Sequence, residues 1–308
     1  MRVIAAFLTA LSAAVQALPP PINDTTNYTP RWAPDSRRLV FSRRDAGRWA
    51  LYVIDVDGTG LRRITPSDAT FNDREPSWSP DGRRVAFDSD RNGNRDIYAM
   101  DVDRSTGVRV LAAHPGIDRM PSWSPDGRTI VFVSDRSGSS ELWSVHADGQ
   151  EVKRITEGST SNDVLRPAWS PRGDRIAYAA NRLPAHSNPL GRRQIFVVEP
   201  DGRQLRGISE PAFDGNCSWA PDGRRLACDG SPDNEDDTSR GQWELFIIDA
   251  ASGVRTRLTQ NSVNDWGPSW SPDGRWIAYA SGLNNQYEIY VIDASGASPR
   301  RVTRLVYP

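Results

Sequence analysis

The chain has 308 residues, enough for one large domain or two small ones, and a formal net charge of −1. That balance gives no reason to expect nucleic acid as a partner, and no basic run stands out along the chain. The 24 Gly and 23 Pro fit a fold in which turns recur at short intervals.

The first segment, MRVIAAFLTALSAAVQA, reads as an export signal over residues 1–17. Arg2 supplies a positive start, Val3 to Val15 an apolar stretch, and Val15-Gln16-Ala17 a small-residue cleavage site. The apolar stretch falls short of the roughly 20 residues needed to span a bilayer. No Cys follows the cut, and no other segment could cross a membrane. A periplasmic or secreted protein, soluble after cleavage behind Ala17, is expected.

From residue 24 onward the chain repeats. Trp32, Trp78, Trp123, Trp169, Trp219 and Trp270 stand in the phrases RWAPDS, SWSPDG, SWSPDG, AWSPRG, SWAPDG and SWSPDG, 45 to 51 residues apart. Six units follow, about 24–65, 66–111, 112–156, 157–209, 210–259 and 260–303. In each, a first short strand ends at Trp, and Ser-Pro-Asp-Gly makes a tight reversal. Pro presets φ for the turn and Gly takes its left-handed position. The second strand (LVFS, VAFDS, IVFVS, IAYAA, LACDG, IAYAS) is continuously apolar, which requires a sheet covered on both faces. A third strand of the type DIYAMD or EIYVID leads through an Asp-Gly-type turn into a polar fourth strand such as VKRIT. Six four-stranded units with both faces covered predict an all-β fold over residues 18–308. That fold is a six-bladed β-propeller, four antiparallel strands per blade, with the Trp side chains filling the space between blades. A β-sandwich is the weaker alternative, since sandwiches need no sustained period of this length. No strand is left over to lock the ring, so the first and last blades are expected to meet by packing.

The stretch PSWSPDGRRVAFDSDRNGNRDIYAM resembles the repeat of TolB-like propellers, a WD-repeat-like family, and the likeness extends over all six units. Departures are Ala33 and Ala220 for Ser, Ser36 for Gly and Arg172 for Asp. The sequence reads as the propeller without the α/β domain that precedes it in TolB. It likewise reads without the hydrolase domain that accompanies similar repeats in prolyl-oligopeptidase-like enzymes. The resemblance implies a propeller outside the cytoplasm that binds a protein or peptide.

A second repeated feature precedes each Trp. Asp73, Asp118, Asp214 and Asp265 lie five residues before it, Asp163 six before, and Asn27 takes the place in unit one. These six are expected to ring the channel mouth on the face opposite the Ser-Pro-Asp-Gly turns, as the ligand-binding ring. Three readings stand side by side: Asx-type turn formation, an acidic funnel attracting a basic or polar peptide, and a Ca²⁺ site with oxygen ligands. No cofactor is otherwise expected. The long loops 181–193, basic, and 231–241, acidic, open on the same face and are either binding loops or tolerated insertions. The Asp90-Arg91 and Asp135-Arg136 pairs read as turn-stabilising ion pairs.

Catalytic motifs of the nucleophile-elbow, zinc-protease or phosphate-loop kind are missing. The three His (His114, His146 and His186) fall in parts of the repeat that cannot all meet. The expectation is a non-catalytic, monomeric interaction scaffold with a protein or peptide over the channel mouth. The alternative is a small hydrolase or lyase acting in an acidic central funnel. Cys217 and Cys228 replace the repeated Pro and the repeated aromatic of unit five. They form a disulfide if the hairpin register sets them directly opposite. A three-residue loop would instead place them on different faces and leave two thiols.

Overall fold

The computed structural model of the chain describes residues 25–66, 70–103, 106–158, 164–182, 192–232 and 243–304. The expected export signal lies outside the described residues. So do Asp163, His186 and most of the two long loops.

The described chain forms six four-stranded antiparallel sheets, each made from four consecutive strands in sequential order. The first strands (Thr26–Trp32, Asp73–Trp78, Asp118–Trp123, Leu165–Trp169, Asp214–Trp219 and Asn264–Trp270) pack against one another around the axis and form the innermost layer. The second strands are buried over most of their length, as in residues 85–89 and Ile176–Ala180. Their unbroken apolar runs exist because each sheet is covered on both faces by its neighbours. Apolar packing is accordingly divided into six clusters, each built from two adjacent blades, with a repeat Trp in every one. Trp169 is half-buried; the other five are buried.

The Ser-Pro-Asp-Gly turn is held by its own side chains. Ser79 Oγ donates to Asp81 Oδ1 at 2.5 Å and accepts the Arg84 N–H at 2.9 Å, with Gly82 at φ 69°. Where the phrase departs, a substitute appears. In unit four Asp174 takes the Ser170 hydroxyl at 2.7 Å in place of the missing Asp. In units one and five, where Ala replaces Ser, Asp35 and Asp222 accept two backbone N–H groups and an Arg Nε instead.

Outer strands are as short as two residues, and a hydroxyl beyond them completes the pairing. Thr65, Thr156, Ser209, Thr259 and Thr303 accept the third-strand N–H groups of Leu51, Leu142, Ile195, Leu245 and Ile289 at 2.8–3.1 Å. Blade two has Ala112 there and a seven-residue outer strand, Thr106–Ala112, in its place.

Ring closure involves no shared strand among the described residues. Blade one packs Trp32, Leu39 and Phe41 on Ala278, Tyr287 and Ile289 of blade six. Polar contacts join the packing: Asn27 Nδ2 donates to Tyr287 O at 3.3 Å and to Glu288 Oε2 at 3.1 Å, and Thr26 Oγ1 accepts the Tyr287 N–H at 3.0 Å.

Candidate functional site

The inner strands carry a β-bulge next to the repeated Pro. Opposite Asp88 and Ala86 of blade two stand Arg74 and Ser77, so Glu75 and Pro76 share the space of one partner residue. Pro is tolerated because the inner strand is a sheet edge and the bulge needs no ladder N–H there. The bulge residue is left-handed at Thr29, Glu75, Met120 and Gly267, with φ between 55° and 61°. This kink turns the residue three before each Trp toward the channel. The resulting ring is Thr29, Glu75, Met120, Arg166, Asn216 and Gly267, no two alike.

Bulge N–H groups are received by the preceding blade. Ser42 Oγ accepts from Glu75 N at 3.1 Å, Asp88 from Met120 N at 3.1 Å and Asp229 from Gly267 N at 2.7 Å. Asp88 also takes both Arg95 donors, at 2.8 and 2.6 Å. Burial pushes its pKa up to about 6, with Arg95 pulling the other way. Asp229, fully buried, is raised for the same reason despite its bonds from Gly267 and Asn216.

A cleft of ≈ 380 Å³ opens at the mouth, on the side of the second-to-third-strand hairpins. One wall is aromatic. Tyr28 meets Trp49 edge-on at 5.6 Å and Tyr287 at 4.7 Å, while Trp266 stacks on Trp243 at 4.3 Å. Arg44, Arg74 and Arg166 supply positive charge to the lining, and Glu75 is its carboxylate. Burial alone would raise Glu75, but the bonded Arg166 guanidinium, with Arg31 and Arg95 near, holds it below the ordinary carboxylate range. Burial and the like charge of Arg166 lower Arg31, which still donates to Pro30 O at 2.9 Å. Such a lining offers many hydrogen-bond donors, and its carboxylate is already engaged. It is suited to holding an anionic or aromatic group rather than to moving protons.

The Asp ring is placed differently from the expectation. Asp73, Asp118, Asp214, Asp265 and Asn27 are at most 1% exposed, and none of them lines the cleft. Each lies at the first or second position of its inner strand, ahead of the bulge. Arg91 reaches Asp73 at 2.7 Å, Arg136 reaches Asp118 at 2.5 Å and Arg255 reaches Asp214 at 2.8 Å. The mouth is therefore cationic and aromatic, unlike the acidic funnel that was one of the three readings of the ring. Asp90 and Asp135 are also repartnered: they accept the N–H groups of Asn72 and Ile117 at 2.7 Å, leaving Arg91 and Arg136 to the ring Asp. Among the described residues, no three His, Cys, Asp or Glu side chains come together in a way that could hold a metal ion. His114 accepts the Gly116 N–H in an inter-blade loop, and His146 contacts Asp148 at a turn on the opposite face. Cys217 stands directly opposite Cys228, with the two sulfurs bonded at 2.02 Å.

Sequence reasoning missed Arg166, Glu75 and Asp88. For Glu75 and Arg166 the signal available was variation, since the residue three before Trp is the one place in the phrase where every unit differs.

The model of the TolB beta propeller domain matches residues 22–110 and 92–228. The Tol-Pal system protein TolB of Francisella tularensis subsp. mediasiatica is 29% identical over 127 residues, 38% of this chain and 27% of that protein. Matches to the curated relatives span only 24% to 38% of those proteins' lengths. Among solved structures, TolB from Acinetobacter baumannii superposes with a TM-score of 0.68 at 23% identity, over 88% of this chain and 61% of that one. An oligogalacturonate lyase in complex with manganese gives a TM-score of 0.60 at 16% identity, over 91% of this chain and 78% of that one. At these identities the structures share the fold. No helix of the described residues is long and apolar enough to cross a membrane.

Proposed function

The chain belongs to the TolB β-propeller domain family, and from that premise we propose that it is a non-catalytic binding propeller that works outside the cytoplasm. Its ligand is a segment of another protein or a peptide, seated in the mouth cleft. The observation that carries this reading is the cleft itself, ≈ 380 Å³, with Tyr28, Trp49 and Trp266 beside Arg44, Arg74 and Arg166. Aromatic and Arg side chains dominate binding energy where peptides dock, because they bury large area with little loss of freedom. The six-fold scaffold holds them rigidly, and the variable ring position gives each blade its own contribution to specificity. The N-terminal sequence expected to direct export supports the compartment.

Equilibration with a random hexapeptide pool, followed by mass spectrometry of what is retained, tests the reading. Retained peptides should bind Trp49→Ala at least about ten-fold more weakly, as expected for an aromatic anchor. Arg109→Ala, on the outer strand of blade two, should bind as wild type does. Turnover of peptides without stable retention would overturn the non-catalytic role.

A further inference from the structure

Below the aromatic wall one guanidinium crosses the channel. Arg166 leaves blade four and donates from Nη2 to Glu75 of blade two. Its Nη1 lies 3.2 Å from where a Cβ on Gly267 of blade six would stand. Gly267, at φ 61°, keeps that space open. Arg166 is 8% exposed, and its Nε and Nη1 have no hydrogen-bond partner. With Glu75 it borders both the mouth cleft and a lower cavity of ≈ 210 Å³, so the pair forms the floor of the cleft. A buried charged donor left without an acceptor is costly, and water or a ligand normally satisfies it. The surrounding charge asks for an anion. Arg31 and Arg74 stand near, whereas the nearby carboxylates are engaged: Glu75 with Arg166, Asp88 with Arg95, and Asp229 with Asn216 and the Gly267 N–H.

From this geometry we infer that the cleft floor is a carboxylate subsite, where the unpartnered donors of Arg166 bind a carboxylate of the peptide ligand. That group is the peptide's C-terminus or an Asp or Glu side chain. The inference rests on the binding role proposed above and names the group such a ligand seats deepest. A guanidinium suits the task because its charge persists at every physiological pH and its donors are fixed in one plane.

Three random hexapeptide pools test it on the full chain: one with free carboxyl termini, one amidated, and one amidated and lacking Asp and Glu. Peptides retained from each are identified by mass spectrometry and measured by calorimetry on wild type and Arg166→Gln. Glucuronate serves as a carboxylate that is not a peptide. Loss of the carboxylate should weaken binding by about ten-fold or more, the worth of a charged hydrogen bond. In Arg166→Gln the preference should vanish while residual binding to the aromatic wall persists. Comparing the first two pools assigns the carboxylate to the terminus, and comparing the last two assigns it to a side chain. If Arg166→Gln does not fold, the acid-against-amide comparison on wild type decides alone. Equal binding of the acid-free amidated pool, or an unchanged preference in Arg166→Gln, overturns the subsite and leaves peptide binding standing. Arg166-dependent glucuronate binding with no peptide retained keeps the subsite and overturns the peptide reading. No binding of any probe overturns both.

Discussion

Asp265 is fully buried, its carboxylate accepting Ser281 Oγ at 2.6 Å and Asn261 Nδ2 at 2.8 Å. Burial is the largest influence on it and pushes its pKa up to about 6, with nearby Glu244 adding to the rise. A carboxyl raised in the fold binds its proton more tightly there than in the unfolded chain. Its contribution to stability is complete below the unfolded value and is lost as the pH climbs through about 6. Blade one holds Asn27 at the same place, neutral at every pH, so the scaffold already accepts the amide. Asp265→Asn should therefore gain stability relative to wild type between pH 4 and pH 7, by up to about 3 kcal/mol. Urea unfolding of both proteins across that range measures the difference. A gap that stays flat, or narrows as the pH rises, would refute the burial argument. Taking the difference between two proteins also cancels the opposing trend of the turn carboxylates, such as Asp81 and Asp126, which their hydrogen bonds hold low.

Within one element, the first two strands of blade five show what a hairpin register decides. Ala220 N donates to Arg225 O at 2.8 Å, which sets Trp219 opposite Leu226 and Cys217 opposite Cys228, with Cα atoms 4.1 Å apart. In other blades this level is filled by Pro on the inner strand and by stacked aromatics between the second and third strands, as in Phe87 on Tyr98. Here the disulfide fills it and closes a loop of 11 residues' separation. Chain-entropy arguments assign a loop of that size about 2–3 kcal/mol. Reductant should lower the free energy of unfolding by that amount in wild type and leave Cys217→Ala/Cys228→Ala unmoved. Equal loss in both proteins would mean that the reductant acts elsewhere. The same inner strands explain what the sequence displayed and what it concealed. Period, turn chemistry and unbroken apolar runs are local, so blade number and strand order could be read directly. The left-handed bulge beside Pro76 is a backbone event with no fixed residue type. Thr29, Glu75, Met120 and Gly267 all adopt it. Without the bulge, strict alternation misassigns which side chains face the channel. The repeated Asp before the Trp then looks like a site, although Asp73, Asp118 and Asp214 are each bonded to an Arg of their own blade.

For the whole molecule, the ring is only as closed as its weakest junction. Every junction buries one apolar cluster, and the one between blades six and one has no covalent continuity through a loop and no shared strand among the described residues. Its hold is packing plus a polar group centred on Asn27, which donates to Tyr287 O, Glu288 Oε2 and Thr303 Oγ1. Arg300 adds one bond to Val56 O at 2.7 Å and Ser36 accepts the Asp273 N–H at 3.2 Å. The cleft wall is built across this junction, since Tyr28 and Trp49 come from blade one and Trp266 from blade six, with Tyr287 of blade six packed on Tyr28. Opening the junction would therefore separate the aromatic wall before the other blades lose their structure. Asn27→Ala removes three hydrogen bonds at once and should cost roughly 1–3 kcal/mol. Amide exchange then locates the loss. The Tyr287 and Ile289 N–H groups, bonded to Thr26 Oγ1 and Thr303 Oγ1, should exchange faster in Asn27→Ala. Those of Leu142 and Leu245, held by the matching hydroxyls of Thr156 and Thr259, should be unchanged. Acceleration at all four positions alike would mean that the ring opens only as a unit, so that the junction is no weaker than the others. Acceleration confined to blade six would make this junction the low-energy opening of the propeller, and ligand held against both its sides would then stabilise the closed ring by mass action.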